Sequence, residues 1–142
     1  MSVLMGARSM ASTSKKSTRY TGGCLCGATR FEARGIAKYP HTCSCTQCRR
    51  HTGAFTVAWV EFDKDEIQWT GKAGMPATYR SSAGSSRAFC KTCGTSLGAI
   101  DDAPIIALLL GIFDKSNSKE LRPTKHSYRG QRPKWWCVEV TE

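Results

Sequence analysis

At 142 residues, 40% of them hydrophobic, the chain has room for one compact domain rather than two. Its longest apolar run, Ile105 to Leu110, is far short of the roughly 20 residues that cross a bilayer, so no transmembrane segment is expected. The formal charge of +10 resembles a nucleic-acid footprint, but Arg8, Lys15, Lys16 and Arg19 place four of those charges at the amino-terminal end with no acidic residue among them. If seven cysteines are thiolates on two zinc ions, the body falls to about +3, because ligating thiols are deprotonated, and a nucleic-acid partner becomes an unfavoured expectation.

Residues 1–17 are rich in Ser, Thr, Lys and Met without periodicity and read as a disordered basic tail, ahead of a single zinc-binding domain over 18–142. Val3-Leu4-Met5 is the only apolar run near the amino terminus, too short for the h-region of a secretory signal, so the protein is expected to be cytoplasmic. Eight cysteines in that setting point to metal or redox chemistry before disulfides.

A short strand is expected near Thr18 to Thr21, ending at Gly22-Gly23. After Cys24-Leu25-Cys26-Gly27 a second strand follows over Ala28 to Arg34, where Thr29, Phe31 and Ala33 alternate with charged residues. Beyond a central cysteine cluster, Ala54 to Val60 places Phe55, Val57 and Trp59 on one face, and Ile67-Gln68-Trp69 repeats the pattern. Gly71 to Pro76 is a loop by its glycines and proline. Ala77 to Arg80 and Ser85 to Phe89 form a further strand pair running into Cys90-Lys91-Thr92-Cys93-Gly94. Thr95 to Ile100 and Ile105 to Leu110 are strand-like about an Asp101-to-Pro104 turn, and after a polar stretch from Lys115 to Gln131 a last strand is expected over Trp135 to Val140. No stretch of ten or more residues carries helical periodicity, so the fold class is mainly β with little helix.

The simplest partition of the cysteines pairs Cys24-x-Cys26 with Cys90-x-x-Cys93, two knuckle-like turns that together make a closed tetrahedral site. Cys43, Cys45 and Cys48 then form a three-thiolate site running straight into Arg49 and Arg50. Either its fourth position is open, the pattern of catalytic zinc, or it is closed by Cys137, His41, His51 or His126. An open site with three thiolates carries a net charge of −1, which makes it a weak electrophile toward water and a better partner for a thiol substrate.

Gly22 to Phe31, Cys43 to Arg50 and Arg87 to Thr95, three cysteine motifs in order, resemble the glutathione-dependent formaldehyde-activating enzyme family, also called the centromere protein V/GFA domain family. His126 and Pro133-Lys134-Trp135 resemble that family's ending, and the match spans roughly Tyr20 to Trp136. The resemblance implies a β-tent of small antiparallel sheets, a structural zinc on Cys24, Cys26, Cys90 and Cys93, and a catalytic zinc on Cys43, Cys45 and Cys48. It also implies carbon-sulfur lyase chemistry that joins glutathione and formaldehyde into S-(hydroxymethyl)glutathione. The basic tail and Cys137 have no counterpart in the pattern.

Around the open site, Arg49 and Arg50 are the candidates by position for holding substrate carboxylates, since guanidinium forks suit them. His126 is a candidate acid or base near neutral pH. His41 and His51 flank the cysteine loop as supporting groups. Trp59, Trp69, Trp135 and Trp136 read as core or pocket wall, and Cys137, alternating with Trp136 and Val138, as a buried thiol. The rival function is a non-catalytic zinc module that recognises a nucleic acid or a protein through its basic surface. A zinc deaminase fits poorly: no histidine begins an H-x-E motif and no proline precedes a C-x-x-C.

Overall fold

The computed structural model describes residues 18–137, so the expected tail over 1–17 and the end of the expected last strand, 138–140, lie outside the described residues. The chain opens with β1 (Arg19–Gly23) and β2 (Arg30–Arg34), antiparallel about the first cysteine turn. Thr29, Phe31 and Ala33 are buried, as their alternation requires. β3 (Lys38–Cys43) and the seven-residue helix α1 (Thr46–Thr52) carry the central cysteines, followed by β4 (Val57–Asp63) and β5 (Ile67–Trp69). Then come β6 (Ala77–Ser82), β7 (Ser85–Phe89), β8 (Ser96–Asp101), β9 (Ile105–Leu109) and the two-residue β10 (His126–Ser127). The mainly β expectation holds.

Two differences from the sequence reading concern where strands begin and end. β4 starts at Val57 and runs to Asp63, so Phe55 precedes it and is partly exposed rather than sharing a face with Trp59. Trp135 to Cys137 follow a turn and join no strand, because Trp136 bonds back to Pro133 and its indole N–H donates to Thr56 Oγ1 instead of to a sheet.

β1, β2 and β5 form a three-stranded sheet in the order β1-β2-β5, and the other strands a seven-stranded sheet in the order β10-β3-β4-β9-β8-β7-β6. All pairs are antiparallel except β10 with β3, where His126 faces Thr42 and Ser127 faces Cys43. One face of the large sheet packs Val60, Phe62, Ile106 and Leu108 against Tyr20, Phe31 and Ala33 of the small one, with Phe113 and Leu121 closing the core. Phe31 meets Phe113 edge-on at 5.0 Å and Trp69 at 6.4 Å between ring centroids. Because β-strand side chains alternate, the residues between these core positions project from the opposite face of the large sheet, which is where the candidate site lies.

Phe31 is 1% exposed and joins the two sheets. Phe31→Ala should therefore cost about 3–5 kcal/mol in denaturant-unfolding experiments. Leu25→Ala, at a residue 90% exposed, should change stability by less than about 0.5 kcal/mol.

Candidate functional site

The turn between β1 and β2 and the turn between β7 and β8 are built alike. Cys24 N–H donates to Thr29 O and Gly27 N–H to Cys24 O; correspondingly, Cys90 N–H donates to Thr95 O and Gly94 N–H to Cys90 O. Gly27 (φ 79°) and Gly94 (φ 77°) occupy the left-handed region that a side chain would strain. Leu25 N–H donates to Thr95 Oγ1, tying one turn to the other. The sulfurs of Cys24, Cys26, Cys90 and Cys93 consequently lie within 4.8 Å of one another, four donors from two sheets converging on one point.

Cys43 ends β3, and Cys45 and Cys48 bracket the first turn of α1, where the spacing of three puts both sulfurs on one side. Cys45 also caps the helix, its sulfur accepting from Cys48 N–H at 3.3 Å. Those three sulfurs lie within 4.8 Å of one another. A hydrogen bond with Cys48 draws the Cys43 thiol below its ordinary pKa, while that same bond, and then burial, drives Cys48 well above it. A divalent cation held between the three sulfurs would bind them as thiolates. Both cysteine clusters could hold a metal ion, and a soft all-sulfur donor set suits zinc. None of the eight cysteines is in a disulfide.

The three-cysteine cluster sits at one end of a cavity of about 540 Å³ on the outer face of the large sheet. Its floor is set by register. Glu61 of β4 lies opposite Ala107 of β9, which lies opposite Ala99 of β8, which lies opposite Arg87 of β7. Two alanines thus leave a trough between an acid and a guanidinium that are close neither in sequence nor by any motif. Arg87 passes over the Trp59 ring, 5.4 Å from its centroid, and donates toward Cys48 Sγ at 3.8 Å and to Gln47 Oε1 at 3.2 Å. His41, Tyr128 and Gln131 also line the cavity.

Of the other candidates, His41 and Trp59 reach this wall and the rest do not. Arg49 donates to the Gln131 backbone carbonyl at 2.8 Å and Arg50 is exposed; neither lines the cavity. His126 Nε2 is 2.8 Å from Ser44 Oγ, which is also 2.8 Å from Thr56 Oγ1, so this histidine braces the cysteine loop from behind. His41 does line the cavity, its Nδ1–H donating to Tyr39 O at 2.8 Å and its Nε2 left to accept. His51 is half-buried with neither ring nitrogen partnered. Cys137 is exposed, not buried, because its segment joins no sheet. Trp59 is core and pocket wall, whereas Trp135 is 71% exposed and packs edge-on against Phe55. Arg87 escaped the sequence reading because only strand pairing places it beside Cys48; its position three residues before Cys90 was the available signal.

Two sheets tied at a four-cysteine cluster, with a three-cysteine cluster opening on a cavity, define a β protein with two separate potential metal centres. A family model described as glutathione-dependent formaldehyde-activating enzyme matches residues 19–131, and the chain belongs to that family. A search of curated proteins returned no match. Among solved structures, the crystal structure of a Rhodobacter sphaeroides protein is similar with a TM-score of 0.57 and 21% identity, covering 75% of this chain and 99% of that one. That likeness extends to the fold.

Burial, and then the charges of Arg129 and Arg132, hold His126 below its ordinary pKa of 6.5. The unfolded chain therefore binds this proton more readily, so the contribution of neutral His126 is complete above pH 6.5 and is lost as the pH falls through the lower folded value. His126→Gln, which keeps a polar partner for Ser44, should lessen the drop in denaturant midpoint between about pH 7 and about pH 5 relative to wild type. Ser44→Ala, which removes the shared partner of His126 and Thr56, should cost about 1–3 kcal/mol at pH 7.

Proposed function

We propose that the protein is a zinc-dependent carbon-sulfur lyase-type enzyme that joins a thiol, glutathione or a relative of it, to formaldehyde or a similar aldehyde, and cleaves the S-(hydroxymethyl) adduct in reverse. Family membership supports the reaction class. The observation that carries the reading is the three-thiol cluster opening on a cavity, with the Arg87 guanidinium beside Cys48. Cys43, Cys45 and Cys48 would hold the working zinc, and Cys24, Cys26, Cys90 and Cys93 a structural one. A zinc ion with three thiolate ligands favours the thiolate form of a substrate thiol near neutral pH.

This chain's own residues then have distinct tasks. Arg87 offsets the negative charge that three thiolates leave on the site, and the Trp59 face and the Gln47 amide hold its guanidinium in place. His41, oriented by Tyr39 O, presents Nε2 as the proton carrier. The thiol proton passes to that nitrogen, the sulfur attacks the carbonyl carbon, the π pair moves to oxygen, and the imidazolium returns the proton to it. Arg49 and Gln131 close the end of α1 over this region rather than binding substrate. A cytoplasmic location agrees with eight unpaired cysteines.

Metal analysis should find two zinc ions per chain in the wild type and one in Cys45→Ser, with the fold retained, whereas Cys93→Ser should lose the cooperative unfolding transition. Adduct formation by zinc-loaded protein should outrun the same glutathione and formaldehyde alone; equal rates would end the enzyme reading. His41→Gln should slow the catalysed part about a hundredfold without changing metal content.

A further inference from the structure

The backbone pairing of β3 with β4 ends where the three-cysteine cluster begins. Cys43 faces Val57 in the last pair of that ladder, and the next residues, Ser44 and Thr56, meet through side chains instead, their hydroxyl oxygens 2.8 Å apart. Ser44 lies fully buried between Cys43 and Cys45. Its N–H donates to Ser127 O at 3.1 Å, and its hydroxyl lies 2.8 Å from His126 Nε2. On the other side, Thr56 Oγ1 accepts from the indole N–H of Trp136 at 2.9 Å. Trp136, Thr56, Ser44 and His126 thus form one continuous chain of hydrogen bonds drawn from four separate segments.

The indole can only donate, and this orients the rest. Thr56 accepts from Trp136 and spends its single hydrogen on Ser44, which spends its own on His126 Nε2. In the reverse direction Ser44 and Trp136 would both donate to Thr56, whose hydrogen would then have no acceptor among these groups. The donor at the head of the chain is itself held in place. The Trp136 ring lies 5.7 Å from that of Phe55, its backbone N–H donates to Pro133 O at 3.0 Å, and its carbonyl accepts from Arg132.

What the chain fixes is the one residue between two sulfurs. The backbone that carries Cys43 and Cys45 passes through Ser44, and Cys45 both belongs to the cluster and caps α1. A shift of Ser44 therefore moves both sulfurs relative to Cys48. The four-cysteine cluster has no such dependence, since its turns close through their own backbone bonds and through Leu25 N–H on Thr95 Oγ1.

We infer that Trp136 is a positioning residue for a metal ion at the three-cysteine cluster, acting through Thr56 and Ser44 rather than on a sulfur, so that the carboxyl-terminal segment completes this centre and not the other. The inference rests on the metal reading of that cluster given above. Supporting groups one bond removed from metal ligands typically carry ten- to a hundredfold in affinity.

The test is competition of zinc-loaded protein with a chromogenic chelator, following the zinc ion that Cys45→Ser lacks. Trp136→Phe keeps a ring against Phe55 and removes the N–H; it should weaken that ion about ten- to a hundredfold and leave the other unchanged. Thr56→Val should do the same, Thr56→Ser should stay within about threefold of wild type, and Trp136→Phe combined with Thr56→Val should lose little more than either alone, as links of one chain do. Trp135→Phe, at an exposed ring outside the chain, should have no effect. Wild-type affinity in both Trp136→Phe and Thr56→Val, equal weakening of the two ions, or a loss in Thr56→Ser as large as in Thr56→Val would each overturn the inference; should Trp136→Phe fold poorly, the two Thr56 variants decide it. A wild type that holds one zinc ion overturns the metal reading and the inference with it. No thiol or aldehyde enters these measurements, so a protein that behaves as expected yet fails to accelerate adduct formation keeps the positioning role and loses the lyase reading.

Discussion

The constraint on which the architecture depends is the meeting of two cysteine turns from different sheets. Leu25 N–H bonds Thr95 Oγ1 across the junction, and four sulfurs separated by as many as 69 positions converge there. A three-stranded sheet with one short edge strand is marginal by itself. The apolar contact of Tyr20, Phe31 and Ala33 with the large sheet holds its face, and the cysteine junction holds its end. An ion at that junction would cross-link the two sheets at the point where the chain leaves both. The second cluster bridges only β3 and α1, neighbours in sequence, and has no comparable architectural task.

The large sheet serves two purposes because its faces are chemically unlike. Val60, Phe62, Ile106 and Leu108 go to the core; Trp59, Glu61, Ala107, Ala99 and Arg87 go to the other side. Such a face would ordinarily be solvated. Here α1 and the segment ending at Gln131 cover the cysteine end, with Arg49 donating to the Gln131 carbonyl and Gln131 Oε1 accepting from Thr46 N–H. The covered end leaves Cys43 and Cys48 buried and Cys45 half-buried at the cavity wall.

Much of this was legible in the residues, for definite reasons. The alternation in Thr29-Phe31-Ala33 and the turn residues around each cysteine pair are local signals, and β2 and both knuckles follow from them. The C-x-C and C-x-x-C spacings grouped the sulfurs correctly because three sulfurs within six residues leave few alternatives. What stayed hidden depends on pairing between distant segments. β3 has a proline and two aromatic or imidazole residues and is built by its neighbour β4, and β10 is two residues long and exists only because Thr42 and Cys43 accept it as a parallel partner. α1 is too short to show a period. Adjacency to the cysteines favoured Arg49 and Arg50, whereas helical geometry turns Arg49 to the Gln131 carbonyl and leaves Arg50 outside the cavity.

The same point governs how the charge of this protein is to be understood. A formal +10 says that cations are abundant and nothing about where they act. Arg19, Arg34, Lys38 and Arg80 are committed to surface carboxylates, pairs that contribute little because water screens them. Arg87 lies partly buried over an indole ring beside a cysteine sulfur, where a single charge has a much larger effect on its surroundings. Across two alanines it faces Glu61, so the field in the cavity runs from positive to negative along the floor even though the chain as a whole is basic. That local gradient is set by strand register rather than by the net charge.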